Sequence, residues 1–210
     1  PSAVAHKSMA WFPVARQVST ELREALSKWA RRTNFPSPKA PLDDVAIHLR
    51  CGDVLKRKHR EYGMLPLDAI MDRIPADAHS VGIVTMSFKD MCAQCARWMG
   101  RTGLRPHTCP GEFMGKLCAC SCAELVQMLA DGIRRKRPGL LVRVHDNDRL
   151  LGAWARLALA PRATICNPSS FCMWPTLAAA SAPSAIGHFV ASPLWPNATA
   201  LEALMPNFRV

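Results

Sequence analysis

The chemistry in this chain is concentrated in His48-Leu49-Arg50-Cys51-Gly52-Asp53. Three side chains that can hold or move charge, His48, Arg50 and Asp53, follow the short apolar run Val45-Ala46-Ile47. Such a run reads as a buried strand, so these side chains crowd where a strand ends. In open α/β sheets ligands bind at the carboxyl ends of the strands. Arginine suits a phosphate there, because its planar fork of donors meets two oxygens at once. A surface Arg–Asp pair at a strand terminus is the plainer reading of the same hexapeptide. A second segment, Asn167-Pro168-Ser169-Ser170-Phe171, favours the ligand. It runs from a strand-like stretch into a helix, so two hydroxyls and several backbone N–H groups gather at a helix start. That suits a pyrophosphate, with simple helix capping by Ser169 or Ser170 as the alternative.

Both segments need a frame. Val14, Val18, Leu22, Leu26 and Trp29 recur at helical spacing, which predicts an amphipathic helix over 14–32. Residues 34–42 hold three prolines and read as a connector. Alternation then begins. Strands are expected at 44–49, 80–86, 140–144, 163–166 and 185–190, and helices at 66–74, 121–135, 149–159 and 170–180. Pro66 suits the first turn of its helix. Ser121 with Glu124 three residues on forms a capping box, and Asn147 or Asp148 would cap the next helix. The fold class expected is α/β, a Rossmann-like doubly wound parallel sheet over 43–192, with a cysteine-rich insertion at 87–120 and a tail at 193–210. In a sheet ordered 3-2-1-4-5, strands one and four are neighbours and the order reverses between them. Both chemistry-bearing segments end those two strands.

The chain has 210 residues, 49% of them hydrophobic and 20% charged, which suits one packed domain and argues against disorder. No apolar run approaches the roughly 18–20 residues that span a membrane, so membrane association is expected only through an anchor upstream of Pro1. A formal net charge of +11 favours an anionic ligand. The densest basic runs are Lys56-Arg57-Lys58-His59-Arg60 and Arg134-Arg135-Lys136-Arg137, the second read as a helix end. Aromatic residues do not interleave with them and Tyr62 is the one tyrosine, so a nucleic-acid stacking platform is not expected. Among nine cysteines, Cys92-x-x-Cys95 and Cys118-x-Cys120-x-Cys122 bracket His107 and Cys109. Zinc is one reading. Disulfides in a secretory compartment are the other, favoured because C-x-C-x-C is not a usual pair of zinc hooks. Cys51 and Cys172 read as unpaired thiols. Asn197-Ala198-Thr199 is a glycosylation acceptor.

The pattern His48-x-Arg50-x-Gly52-Asp53 followed well downstream by Ser169-Ser170-Phe171 resembles the donor half of the fucosyltransferase superfamily, over about residues 43–190. That group includes α1,2-, α1,6- and protein O-fucosyltransferases. The stretches Ile47–Leu55 and Tyr62-Gly63-Met64-Leu65-Pro66 are similar to its algal and protist members. The resemblance implies the donor-binding half of a GT-B glycosyltransferase, GDP-fucose as donor, a glycan or protein hydroxyl as acceptor, inversion at the anomeric carbon, no required metal or other cofactor, and a Golgi or secretory-lumen address. Carried over by position, Arg50 would clamp the β-phosphate, with Asp53 holding it. His48 and Gly52 would line the donor site. Asn167, Ser169, Ser170 and Phe171 would meet the phosphates. Asp146 and Asp148 are the nearest acidic residues for reading guanine. The family pattern has two Rossmann-like domains, and this sequence has room for one, with residues 1–42 as a lead into it. A non-catalytic basic protein binding nucleotide, acidic glycan or nucleic acid is the alternative, and a cysteine-rich metal module on the same scaffold is a third reading.

Overall fold

The computed structural model describes residues 12–37, 40–50, 65–85, 114–146, 148–167, 169–190, 202 and 205–210, with backbone only for 12, 13 and 114–122. Cys51, Gly52 and Asp53, the basic run 56–60, and Cys92, Cys95, His107 and Cys109 lie outside the described residues.

Helix α1 (Phe12–Arg32) precedes the sheet. Then come β1 (Val45–His48), α2 (Leu67–Met71), β2 (Ser80–Val84), α3 (Met114–Lys136), β3 (Leu141–His145), α4 (Leu150–Leu159), β4 (Ala163–Cys166), α5 (Ser170–Ala180), β5 (Ile186–Phe189) and β6 (Phe208–Arg209). The six strands form one sheet in the order β3-β2-β1-β4-β5-β6, and every pair is parallel. The order reverses between β1 and β4, as expected.

Apolar runs at the centre of the sheet are continuous because helices cover both faces. Val45 and Ile47 point to one face, where Ile70 and Ile74 from the α2 segment and Val126, Ala130 and Ile133 of α3 pack with Val81, Ile83 and Ile165. Ala46 and Val84 point to the other, against Ala153 and Leu157 of α4 and Met173 and Leu177 of α5. α1 lies over α4 and α5, with Leu26 against Ala155, Ala158 and Ala178. Gly187 on β5 is required by the close approach of α5, since a Cβ there would stand 2.5 Å from the Thr176 carbonyl oxygen.

Several expectations are corrected. α1 buries Leu26 as expected but not Val14 and Val18, which are 55% and 36% exposed; Ala15, Ser19 and Ala30 face inward beside Leu26. The buried Ser19 hydroxyl is satisfied by donating to the Ala15 carbonyl at 2.6 Å. α3 starts at Met114, so Ser121 lies within the helix and does not cap it; the expected insertion ends in helix. The N-cap of α4 is Arg149, without a side-chain bond, because the Asp148 carboxylate goes to Arg156 instead. The expected tail contributes β6, a strand of two residues, too short to show alternation.

Candidate functional site

Each strand that meets the reversal ends in a turn. β1 is buried along its whole length, and Leu49 continues its ladder by donating its N–H to the Val84 carbonyl at 3.0 Å. Thr85 secures the same turn, its hydroxyl donating to the Leu49 carbonyl at 3.0 Å. Arg50 follows, half-buried, two residues beyond the end of β1. Across from it β4 ends in Cys166, and Asn167 turns the chain toward α5.

Asn167 is buried and acts as a clip. Its side-chain amide donates to the His48 carbonyl at 3.2 Å, and its side-chain oxygen accepts the Leu65 N–H at 3.2 Å. One residue thus joins the ends of β4 and β1 and the entry to α2. Ser169 is the N-cap of α5, with extended backbone, and its Oγ accepts the Phe171 N–H at 3.3 Å. The Phe171 N–H, expected to serve a phosphate, is therefore taken up here by the Ser169 oxygen, which keeps its own O–H as a donor. Ser170 is exposed beside them.

A disulfide links Cys166 to Cys172, six residues apart with a Cα–Cα distance of 5.7 Å. This corrects the expectation that Cys172 is unpaired. The last residue of β4 and the first turn of α5 meet on the same buried side, within the ordinary span of a disulfide. The bond staples the turn that carries Asn167, Ser169 and Ser170.

His48 packs its ring on Phe171, centroids 4.9 Å apart and 23° from parallel, and Trp154 of α4 meets Phe171 edge-on at 6.1 Å. His48 is 6% exposed. Burial, and then the positive charge of Arg50, push its pKa from 6.5 down to about 3, so the imidazole is neutral at physiological pH. Among the described residues two buried polar side-chain atoms lack a hydrogen-bond partner, His48 Nδ1 and Trp154 Nε1. Both belong to rings that touch Phe171.

The acidic residues expected to read guanine follow β3 and precede α4. Asp146 is buried just beyond β3, two strands from β1. Asp148 accepts from Arg156 Nε at 2.5 Å, and the buried Arg156 also donates to the carbonyls of Pro41 at 3.0 Å and Ala40 at 3.2 Å, its guanidinium 5.0 Å from the Phe35 ring centroid. Asp148 thereby helps to hold the 35–41 connector onto α4.

Sequence reasoning passed over one buried charged cluster. Asp43 accepts from Arg143 at 2.5 Å and pairs with His145 Nε2 at 2.7 Å. A Cβ on Gly82 would fall 2.4 Å from the Asp43 carboxylate, so glycine makes room for the cluster on the sheet face. The available signal was an arginine and a histidine two apart in a strand, which puts both on one side.

The second basic run is largely engaged within the fold. Arg137 donates to the carbonyls of Ile74, Pro75, Ala76 and Ala78, Arg134 pairs with Asp131, and Lys136 pairs with Asp68. No group of three or more potential metal ligands occurs among the described residues, and no described helix is long and apolar enough to cross a membrane. No protein-family model, curated protein or solved structure matches this chain.

Proposed function

We propose that this chain is the donor-binding half of a GT-B glycosyltransferase of the fucosyltransferase kind, taking GDP-fucose and transferring fucose with inversion to a glycan or protein hydroxyl. The observation that carries this reading is placement. Arg50 and the start of α5 stand on the two strands between which the sheet order reverses. That is where a doubly wound sheet holds a nucleotide. The Cys166–Cys172 disulfide suits an oxidising secretory compartment.

In the proposed reaction the bond from the sugar C1 to its phosphate oxygen breaks, and the leaving diphosphate gains negative charge. Arg50 meets that charge with two parallel donors, and the α5 start adds its dipole. Both interactions strengthen as the bond breaks, which is what lowers a barrier. His48, neutral and stacked on Phe171, forms the wall of the crevice and leaves the positive charge to Arg50. Capture of a phosphate by the Ser169 O–H would leave its bond from the Phe171 N–H in place, since a hydroxyl donates through its hydrogen while its oxygen accepts.

Calorimetry with GDP, using UDP as the control, tests this. The wild type is expected to bind GDP and Arg50→Ala to lose it, with transfer slowed by about two to three decades where an acceptor is turned over. Arg50→Lys is expected to restore little, since lysine lacks the fork. A folded wild type that binds no nucleotide overturns the reading.

A further inference from the structure

The turn between β4 and α5 reaches the end of β1 through two residues. Asn167 donates its amide to the His48 carbonyl and accepts the Leu65 N–H, each at 3.2 Å. Phe171 stacks its ring on that of His48, centroids 4.9 Å apart. Both residues lie inside the loop that the Cys166–Cys172 disulfide closes. These ties between the start of α5 and the strand that leads to Arg50 are therefore held within one cross-link.

The surroundings of the two sulfurs suit both redox states. Cys166 and Cys172 are fully buried. Cys166 Sγ is 3.2 Å from the Asn167 carbonyl oxygen and 3.8 Å from that of Ser169. Cys172 Sγ is 3.3 and 3.6 Å from the same two oxygens. Bonded to each other, the sulfurs have no hydrogen to donate. As thiols each carries an S–H, and two carbonyls already stand within reach to accept it. The reduced pair thus has partners without leaving the core, but it needs room. Sulfurs that no longer share a bond part to contact distance, and a close-packed interior has no slack to absorb the movement. β4 is fixed in the sheet between β1 and β5. The first turn of α5 is the side that yields. Its own bonds are long: the Phe171 N–H to Ser169 Oγ and the Cys172 N–H to the Ser169 carbonyl, both at 3.3 Å.

We infer that the Cys166–Cys172 disulfide is a redox latch on the crevice between β1 and β4. Closed, it holds Asn167 and Phe171 against β1. Opened, it frees the first turn of α5 and slackens both ties. A dithiol opens it by exchange: one thiolate attacks a sulfur of the bond, and the second closes a cyclic disulfide on the reductant. Two electrons and two protons pass to Cys166 and Cys172, which become thiols. Because both sulfurs are buried, the reductant reaches them only through openings of that first turn. The latch acts on the crevice that the donor reading uses, but rests on the geometry of the turn alone.

The test is amide hydrogen exchange on the full chain before and after dithiothreitol, with alkylation and peptide mass mapping to show that Cys166 and Cys172 have become thiols. No nucleotide is added, so a failure of the donor reading leaves the test intact. Reduction is expected to speed exchange at Phe171 about tenfold or more. Leu65, about a hundred residues away but bonded to Asn167, should quicken with it. Leu141, whose N–H goes to the His79 carbonyl at 3.0 Å, should not change. Reoxidation with glutathione disulfide should restore protection at both sites. Cys166→Ala/Cys172→Ala should exchange fast from the outset and ignore dithiothreitol. An equal response of that variant would assign the effect to other cysteines and overturn the proposal. So would a bond that dithiothreitol leaves intact in the folded chain, unchanged exchange at Phe171 and Leu65 after reduction, or a rise at Leu141 as large as theirs. If the variant folds poorly, the cycle of reduction and reoxidation in the wild type decides alone.

Discussion

His145 ends β3 and His48 ends β1, two strands apart in one sheet, and both are buried. The surroundings differ in the sign of what faces them. His145 sits on the Asp43 carboxylate, which Arg143 also meets, so donors and acceptor close on one another. His48 has an aromatic ring on its flat side, a cation beside it and a ring nitrogen without a partner among the described residues. A cluster that contains its own counter-charge is complete without a ligand. At the β1 end an arginine, a neutral imidazole and a helix start stand together, and these are the residues that the proposed donor site uses. The comparison sets a histidine paired with a carboxylate against one packed on an aromatic ring.

The largest expected effect is on the β3 side. Asp43→Ala leaves the buried His145 and the half-buried Arg143 without their acceptor and should cost about 3–5 kcal/mol in urea unfolding. A loss near zero would mean that the two residues find other partners and that the contrast with β1 is false. Next comes pH. A histidine with a folded pKa of about 3 and an ordinary value of 6.5 binds fewer protons folded than unfolded between those limits. Stability is therefore fully present above about 6.5 and falls as pH drops toward about 3. The slope is on the order of 1 kcal/mol per pH unit. His48→Phe should reduce that slope, leaving the share of His188, held down to about 4, and keep the stack on Phe171; an unchanged slope would place the titrating group elsewhere. Asn167→Ala deprives the His48 carbonyl and the Leu65 N–H of their partner, with an expected cost of about 1–3 kcal/mol. It should also raise amide exchange at Leu65, and unaltered exchange there would show that the clip is dispensable. The smallest effect is Ser169→Ala, about 1 kcal/mol for a lost N-cap. A much larger thermal shift would mean that the hydroxyl supports more than the Phe171 N–H.

The central frame was legible because its signals are local. Val45-Ala46-Ile47 and Ala163–Cys166 are short apolar runs between turns, and the observed strands match them within a residue or two. The Ser169 cap follows from its place before a helical stretch. Contacts that are distant in sequence were not legible. Asp43 reaches Arg143 and His145 about a hundred residues away, and Asn167 spans a similar gap to Leu65. Single-residue patterns carry no trace of such pairings. The start of α1 was misread for a related reason: which side of a helix is buried depends on its neighbour, and there Ala15 and Ser19 are buried while Val14 and Val18 are not. Cys172 was misassigned because its partner Cys166 lies only six residues off, across a turn whose geometry decides the pairing.

A cross-link over so short a span closes a small loop, so it restrains the unfolded chain less than a long-range one would. Its main consequence is for preparing the protein. Material made in a reducing cytosol and material made in an oxidising lumen share one sheet but differ in how firmly the serine turn is tied down. Ligand measurements on the two are measurements on different samples, and the oxidation state of Cys166 and Cys172 has to be known before either is interpreted.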